Sequence, residues 1–405
     1  MIAHFVDCPD NFGDVLYPVI LEKVMRDMGV MDDIQRYSFL EGDAPLEAGY
    51  PVRSIQDLMS GTNTVHPRAL FIGGGELLRA SQNKERGYLN LFLERGLPLP
   101  SFFWKKQYLY RRLLRRSYFN QLFTKRYMNY PSVGPYIINA KEIYEKLPIA
   151  FCSCGGPNRY PQEVGPKVRD AMEQSSFIYL RDEITRERLV ECGVQKRMHV
   201  APDLICLLSD YFSLDEMSVS GNDILKRYGL NPKKKTIVFQ SFPLDEQPTK
   251  EVLEQLSSCA DRCNAEICLL PMGYCHNDHK YLETLSAISG GAFKYLPAKS
   301  IFDIISVVAA SDCFIGTSMH GSITAFSYGK PFLIAPTRRQ KQQGFLKAAG
   351  LYPWFELECW SQIQERLAEV LMLEPEYSKW CLRGAKDQAR ETARKMLIAT
   401  QTIQL

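Results

Sequence analysis

Short apolar runs that stop at Gly, Pro or Asp alternate along the chain with amphipathic stretches, which is the pattern of α/β proteins built on parallel sheets. In the N-terminal half, residues 1–6, 69–72, 148–152, 177–180 and 199–201 predict strands. Helical patterns follow at 15–28 and 182–192. A polar interval, 209–235, closes on Asn231-Pro232-Lys233-Lys234-Lys235 and reads as a linker. A second series then opens, with strands predicted at 236–239, 266–270, 313–315 and 331–334 and helices at 301–310 and 321–328. The expected architecture is two Rossmann-like domains facing across a cleft, residues 1–208 and 236–405, with a C-terminal helix at 376–397 packing back on the first.

Composition narrows this picture without redirecting it. The 405 residues include 49 Lys+Arg and 46 Asp+Glu, for a net charge of +3, and 45% are hydrophobic. That is globular usage at a length suited to two or three domains, and it gives no sign of bulk nucleic-acid affinity. The first residues lack a basic region followed by an apolar core, and the charge-free run 313–329 is too short and polar to span a bilayer. The twelve cysteines are scattered, with no C-x-x-C set or Cys/His zinc spacing. They read as reduced thiols of a cytoplasmic protein, and no metal is expected.

One segment breaks the alternation. Residues 97–130 carry Lys105, Lys106, Arg111, Arg112, Arg115, Arg116, Lys125 and Arg126 with no acidic residue, interleaved with aromatics such as Trp104, Tyr108 and Phe119. Two readings stand: a solvated insertion, or a contact surface for anionic headgroups or a phosphate-linked acceptor at the inner face of a membrane.

In an open α/β sheet, ligands sit beyond the carboxyl ends of the strands, so the residues just after each apolar run carry the candidate chemistry. Asn11-Phe12-Gly13-Asp14 follows the first strand and opens a helix, with Asp14 either a cap or a cleft-facing acceptor. Gly73-Gly74-Gly75 lets a ligand approach the backbone. Arg181 ends a strand beside Asp182, where its fork can hold a carboxylate or phosphate, and Ala201-Pro202-Asp203 ends the next as a turn. Thr317-Ser318-Met319-His320-Gly321-Ser322 puts a histidine at a helix N-terminus beside N–H groups suited to an anion. That dipole disfavours imidazolium, so a bound anion is needed to keep His320 protonated as a general acid. Arg338, Arg339 and Lys341 add cations to the same edge, and the loop with His276, Asp278 and His279 reads as polar substrate contacts.

Taken in order, these pieces resemble the polysaccharide pyruvyl transferase family, together with Thr185, Leu189, Ile323, Gly329-Lys330-Pro331 and Gly344-Phe345-Leu346. The likeness runs from about residue 2 to 350. It implies a glycosyltransferase-B-like fold, phosphoenolpyruvate as donor, no further cofactor, and a saccharide or lipid-linked glycan that receives pyruvate as a ketal. The family's cationic and histidine positions map to Arg181, His320 and Lys341, with Asp14 a candidate base. The family carries Arg two residues before the histidine; Ser318 stands there in this chain, leaving Arg338 or Arg339 to supply that contact. The chemistry suits the residues: a carboxylate and a phosphate need clamps, and an enol carbon that gains a proton needs an acid. Two alternatives remain at this level. One is a nucleotide-sugar-dependent glycosyltransferase of the same build, and the other a non-catalytic glycan-binding homologue.

Overall fold

The computed structural model describes residues 1–5, 11–38, 42–43, 50–60, 66–78, 136–143, 146–157, 159–160, 162–336, 339–372 and 375–404. The basic segment 97–130 lies outside them.

The first lobe is a sheet of eight strands: β1 (Ile2–Phe5), β2 (Ile34–Ser38), β3 (Gly42–Asp43), β4 (Pro51–Ser54), β5 (Leu70–Gly75), β6 (Ile149–Cys154), β7 (Phe177–Leu180) and β8 (His199–Val200). Their order is β3-β4-β2-β1-β5-β6-β7-β8, parallel except for the β3–β4 pair. The second lobe has five parallel strands, β9 (Lys235–Gln240), β10 (Ala265–Leu269), β11 (Lys294–Tyr295), β12 (Cys313–Gly316) and β13 (Phe332–Ile334), ordered β11-β10-β9-β12-β13. The observed class is therefore α/β with two Rossmann-like sheets.

The pleat explains the apolar runs. Ile2, Phe71, Cys152 and Tyr179 face one cluster while Ala3, Phe5, Leu70, Ile72, Phe151 and Ile178 face another, so these strands are oily on both sides. β2 and β4 escape the sequence pattern because polar residues interrupt them. Arg36 of β2 is nevertheless buried, paired with Glu22 and stacked 4.2 Å over the Tyr50 ring.

The first cluster does not stop at the lobe boundary. It runs from Ile2 and the inner face of helix Phe12–Asp27 through Leu204–Leu208 to Ile237, Phe314 and Met396. The interval 209–235, expected as a linker, contains the helix Leu214–Arg227. That helix docks so tightly on helix Ile301–Ala310 that a Cβ on Gly221 would lie 2.0 Å from the Ser306 carbonyl oxygen. Its polarity belongs to the outer face only.

The last helix, Pro375–Ala399, returns to the first lobe. Lys386 Nζ donates to Ser209 Oγ and Asp210 Oδ1 at 2.7 Å each, and Arg68 donates to the carbonyls of Gln401 and Thr402 at 2.8 and 2.9 Å. Among the described residues no helix is long and apolar enough to cross a membrane.

Candidate functional site

Both lobes offer a helix N-terminus to the same place. Asn11 caps helix Phe12–Asp27 by accepting from the Gly13 N–H at 3.2 Å. The lobes then join: Phe12 N–H donates to the Met272 carbonyl at 2.8 Å, and Asn11 forms an antiparallel bridge with Gly273. Opposite, Ser318 caps helix Met319–Ser327, its Oγ accepting from the Gly321 N–H at 3.1 Å. Gln240, at the end of β9, fixes that turn. Its Oε1 accepts from the Ser318 N–H at 2.8 Å and from Thr317 Oγ1 at 3.2 Å. The N–H groups of Met319 and His320 lie in the first turn, where a helix has no intrahelical acceptor for them, and both residues line the hollow described below.

His320 is 5% exposed. A Cβ on Gly13 would lie 1.6 Å from its Nδ1, so the imidazole fills the space that any side chain at position 13 would take. Its Nε2 points the other way, 3.8 Å from Asp203 Oδ2, and Arg181 Nη1 stands 3.7 Å from the same oxygen. Asp203 Oδ1 accepts from the Ile205 N–H at 3.1 Å. Both separations exceed hydrogen-bond length, and the three Arg181 nitrogens and His320 Nε2 have no hydrogen-bond partner among the described residues. The arrangement is a buried Arg181–Asp203–His320 triad, with both contacts to the shared carboxylate oxygen longer than hydrogen bonds.

Electrostatics follow from that burial. Loss of solvent pushes the His320 imidazole below its ordinary range; Asp203 opposes this, while Arg181 and Lys341 add to it. Burial pushes the Asp203 carboxyl up, but His320, Arg181 and the Ile205 N–H together outweigh it and hold it below the usual carboxylate value.

In front of His320 lies a hollow of about 240 Å³, lined by Asn11, Ser318, Met319, Lys341 and His276 together with Gln240, Phe242 and Met272. No acidic residue is among its described lining residues. Of the residues singled out in the sequence, the structure thus gathers Asn11, His276, Ser318, His320 and Lys341 around one cavity.

Others fall elsewhere, for identifiable reasons. Arg181 is 3% exposed and stands behind the imidazole, close against Gly155, not in the lining of the hollow. Asp14 is also absent from the lining and lies against Gly75. Gly73 to Gly75 are the last residues of β5, not a turn after it; Gly74 and Gly75 have φ of 79° and 138°, and Tyr17 occupies the space beside Gly74. Gly321 admits Phe314 and Met272, and Ser322, fully buried, donates to the Ser318 carbonyl at 3.2 Å. Asp278 is fully buried as a loop staple: its Oδ2 accepts from the Met272 and Gly273 N–H groups and Gln240 Nε2, and its Oδ1 from the His279 N–H. Arg338 and the side chain of Arg339 lie outside the described residues.

Two contributors were not in the sequence-derived set. Asp203 was visible as a strand-end residue, but nothing local announced that it would face a histidine far along the chain. Gln240 follows an apolar run, and that position was its only signal.

Solved structures place the fold. A UDP-N-acetylglucosamine 2-epimerase from Rickettsia bellii superposes with a TM-score of 0.57 at 14% identity, covering 99% of this chain and 96% of that one. The UDP-GlcNAc 2-epimerase of Neisseria meningitidis gives 0.56 at 10% identity, with 99% of each chain covered. That of Methanocaldococcus jannaschii gives 0.56 at 8%, covering 97% and 98%. At these identities the likeness is one of fold, the glycosyltransferase-B-like pair of Rossmann domains. Curated protein sequences show no match to the chain. The family model for polysaccharide pyruvyl transferase, however, matches residues 11–336, from the cap of the first helix to the end of β13 and its turn, and the chain belongs to that family.

Proposed function

We propose that the protein moves the pyruvyl group of phosphoenolpyruvate onto two hydroxyls of a saccharide, forming a cyclic ketal and releasing inorganic phosphate. The observation that carries this reading is the hollow between the lobes, lined by His320, Lys341 and a helix N-terminus and, among the described residues, by no acidic one. It suits a small, multiply charged anion. Lys341 and the N–H groups of Met319 and His320 would hold the donor's charged groups. Asp203, itself held against Arg181, keeps Nε2 of His320, which leaves Nδ1 as the nitrogen that passes a proton.

The balance is simple. One hydroxyl proton ends on the donor's methylene carbon, by way of His320, making it a methyl group. The adjacent carbon becomes electrophilic, both sugar oxygens bond to it, and its bond to the phosphate oxygen breaks. Phosphate leaves with the second hydroxyl proton. In this role Arg181 acts through Asp203, not as the donor clamp expected from the sequence. The reaction as written calls for no cofactor beyond the donor.

The test is phosphate release from phosphoenolpyruvate with a panel of sugars bearing 1,2- or 1,3-diols, with the ketal methyl group followed by proton NMR. Stoichiometric phosphate and a new methyl signal are expected. Turnover of a nucleotide sugar, with phosphoenolpyruvate inert, would overturn the proposal. The pH profile is a second readout. A general acid with a lowered value in the free protein loses activity early as pH rises, and the bound donor's negative charge raises that value. The alkaline limb of kcat should therefore lie at higher pH than that of kcat/KM. Coincident limbs would show that donor charge does not reach His320.

A further inference from the structure

We infer that Glu76 is a counter-ion latch for the donor hollow, holding Lys341 until an anion takes it and reclaiming it when phosphate leaves. The inference rests on the reading of the hollow as the donor site.

Glu76 directly follows β5 in the first lobe, whereas Lys341 sits on the helix Arg339–Ala348 of the second. Glu76 Oε2 stands 3.9 Å from Lys341 Nζ, with the two side chains 22% and 29% exposed. The helix backbone itself is fixed. A Cβ on Gly344 would lie 2.6 Å from the Asp182 Cβ, Phe345 and Leu346 are buried, and Gln342 Nε2 donates to the Thr317 carbonyl at 3.2 Å. The lysine side chain lines the hollow and has the Glu76 carboxylate beside its ammonium group.

The contact is too long for a hydrogen bond and partly open to solvent, so it is a weak ion pair. That weakness is functional. A tight pair would exclude the donor; an absent one would let Lys341 grip donor and product phosphate alike more firmly, slowing the release of product. With Glu76 in place, an incoming anion must draw Lys341 away and overcome the carboxylate's repulsion. A departing phosphate, with less charge than the donor, has a competitor waiting for the lysine. Glu76 is on this account a positioning residue, acting on the ligand through Lys341.

The experiment is isothermal titration of wild type, Glu76→Gln, Lys341→Met and the double variant with phosphoenolpyruvate and, separately, inorganic phosphate. Glu76→Gln is expected to bind both anions about two- to fivefold more tightly, the worth of a partly exposed ion pair. The gain should vanish in the Lys341→Met background and shrink with added salt, neither of which a merely structural effect would do. KM for the donor and the inhibition constant of phosphate should fall together, without a matching rise in kcat. Equal or weaker binding by Glu76→Gln overturns the latch and leaves the donor reading standing, provided that wild type binds phosphoenolpyruvate. If wild type binds phosphate alone, the donor reading falls and the phosphate titration decides the latch by the same criterion. Binding of neither anion by any of the four proteins overturns both.

Discussion

Replacing His320 with Ala is expected to lower pyruvyl transfer by about 10²- to 10⁴-fold, the usual contribution of a positioned acid. The imidazole is buried, lines the hollow and has its Nε2 turned to a carboxylate. Gly13→Ala is the sharper companion, because it changes no titrating group. Its new methyl would sit 1.6 Å from His320 Nδ1, so the ring must move, and a displacement of about 1 Å can cost about 10² in rate. The measurements are steady-state phosphate release and circular dichroism on both variants. If folded His320→Ala turns over undiminished, the imidazole has no part in the chemistry. If Gly13→Ala is fully active, its placement is not critical.

The second large effect is on stability. Asp203→Ala leaves the Arg181 guanidinium, 3% exposed, without the carboxylate 3.7 Å away. Removing one partner of a buried ion pair typically costs about 3–5 kcal/mol, because the stranded charge stays in a medium that solvates it poorly. A urea midpoint well below that of wild type is expected. Adding Arg181→Met should restore much of the loss while transfer stays low, since the imidazole still lacks its partner. A double variant no more stable than Asp203→Ala would show that the carboxylate, not the orphaned cation, was responsible. The same triad sets an acid sensitivity. His320 and Asp203 both have values lowered in the fold, so the unfolded chain binds more protons as pH drops. Wild type should lose stability below about pH 6.5 as His320 contributes, and further near pH 4 as Asp203 does.

What could be read from the chain beforehand has a physical boundary. Strands flanked by apolar material on both faces, such as β7 and β12, announce themselves as unbroken hydrophobic runs. β2, with Gln35 and Arg36 at its centre, does not, because Glu22 and Tyr50 that make Arg36 tolerable come from elsewhere. The site divides in the same way. A position after a strand placed His320 and Lys341 at the sheet's edge, and both line the hollow. Arg181 and Asp14 were placed by that logic as well, yet the structure turns one to Asp203 and sets the other against Gly75. Position along the chain gives the edge of the sheet; only packing gives the direction of a side chain. Gly13 and Gly344 make the same point, since each is small on account of a group in the opposite lobe, His320 and Asp182.

The uninterrupted apolar cluster from Ile2 to Met396 has a consequence for anyone dissecting the protein. Its two Rossmann units do not have private interiors. Cutting the polypeptide near residue 209 would strip oily faces from helix Phe12–Asp27 and from Leu204–Leu208, and would part the segment after the C-terminal helix from Arg68, which donates to the carbonyls of Gln401 and Thr402. The pieces would be aggregation-prone fragments, not autonomous modules, and each would surrender half of the imidazole's seat.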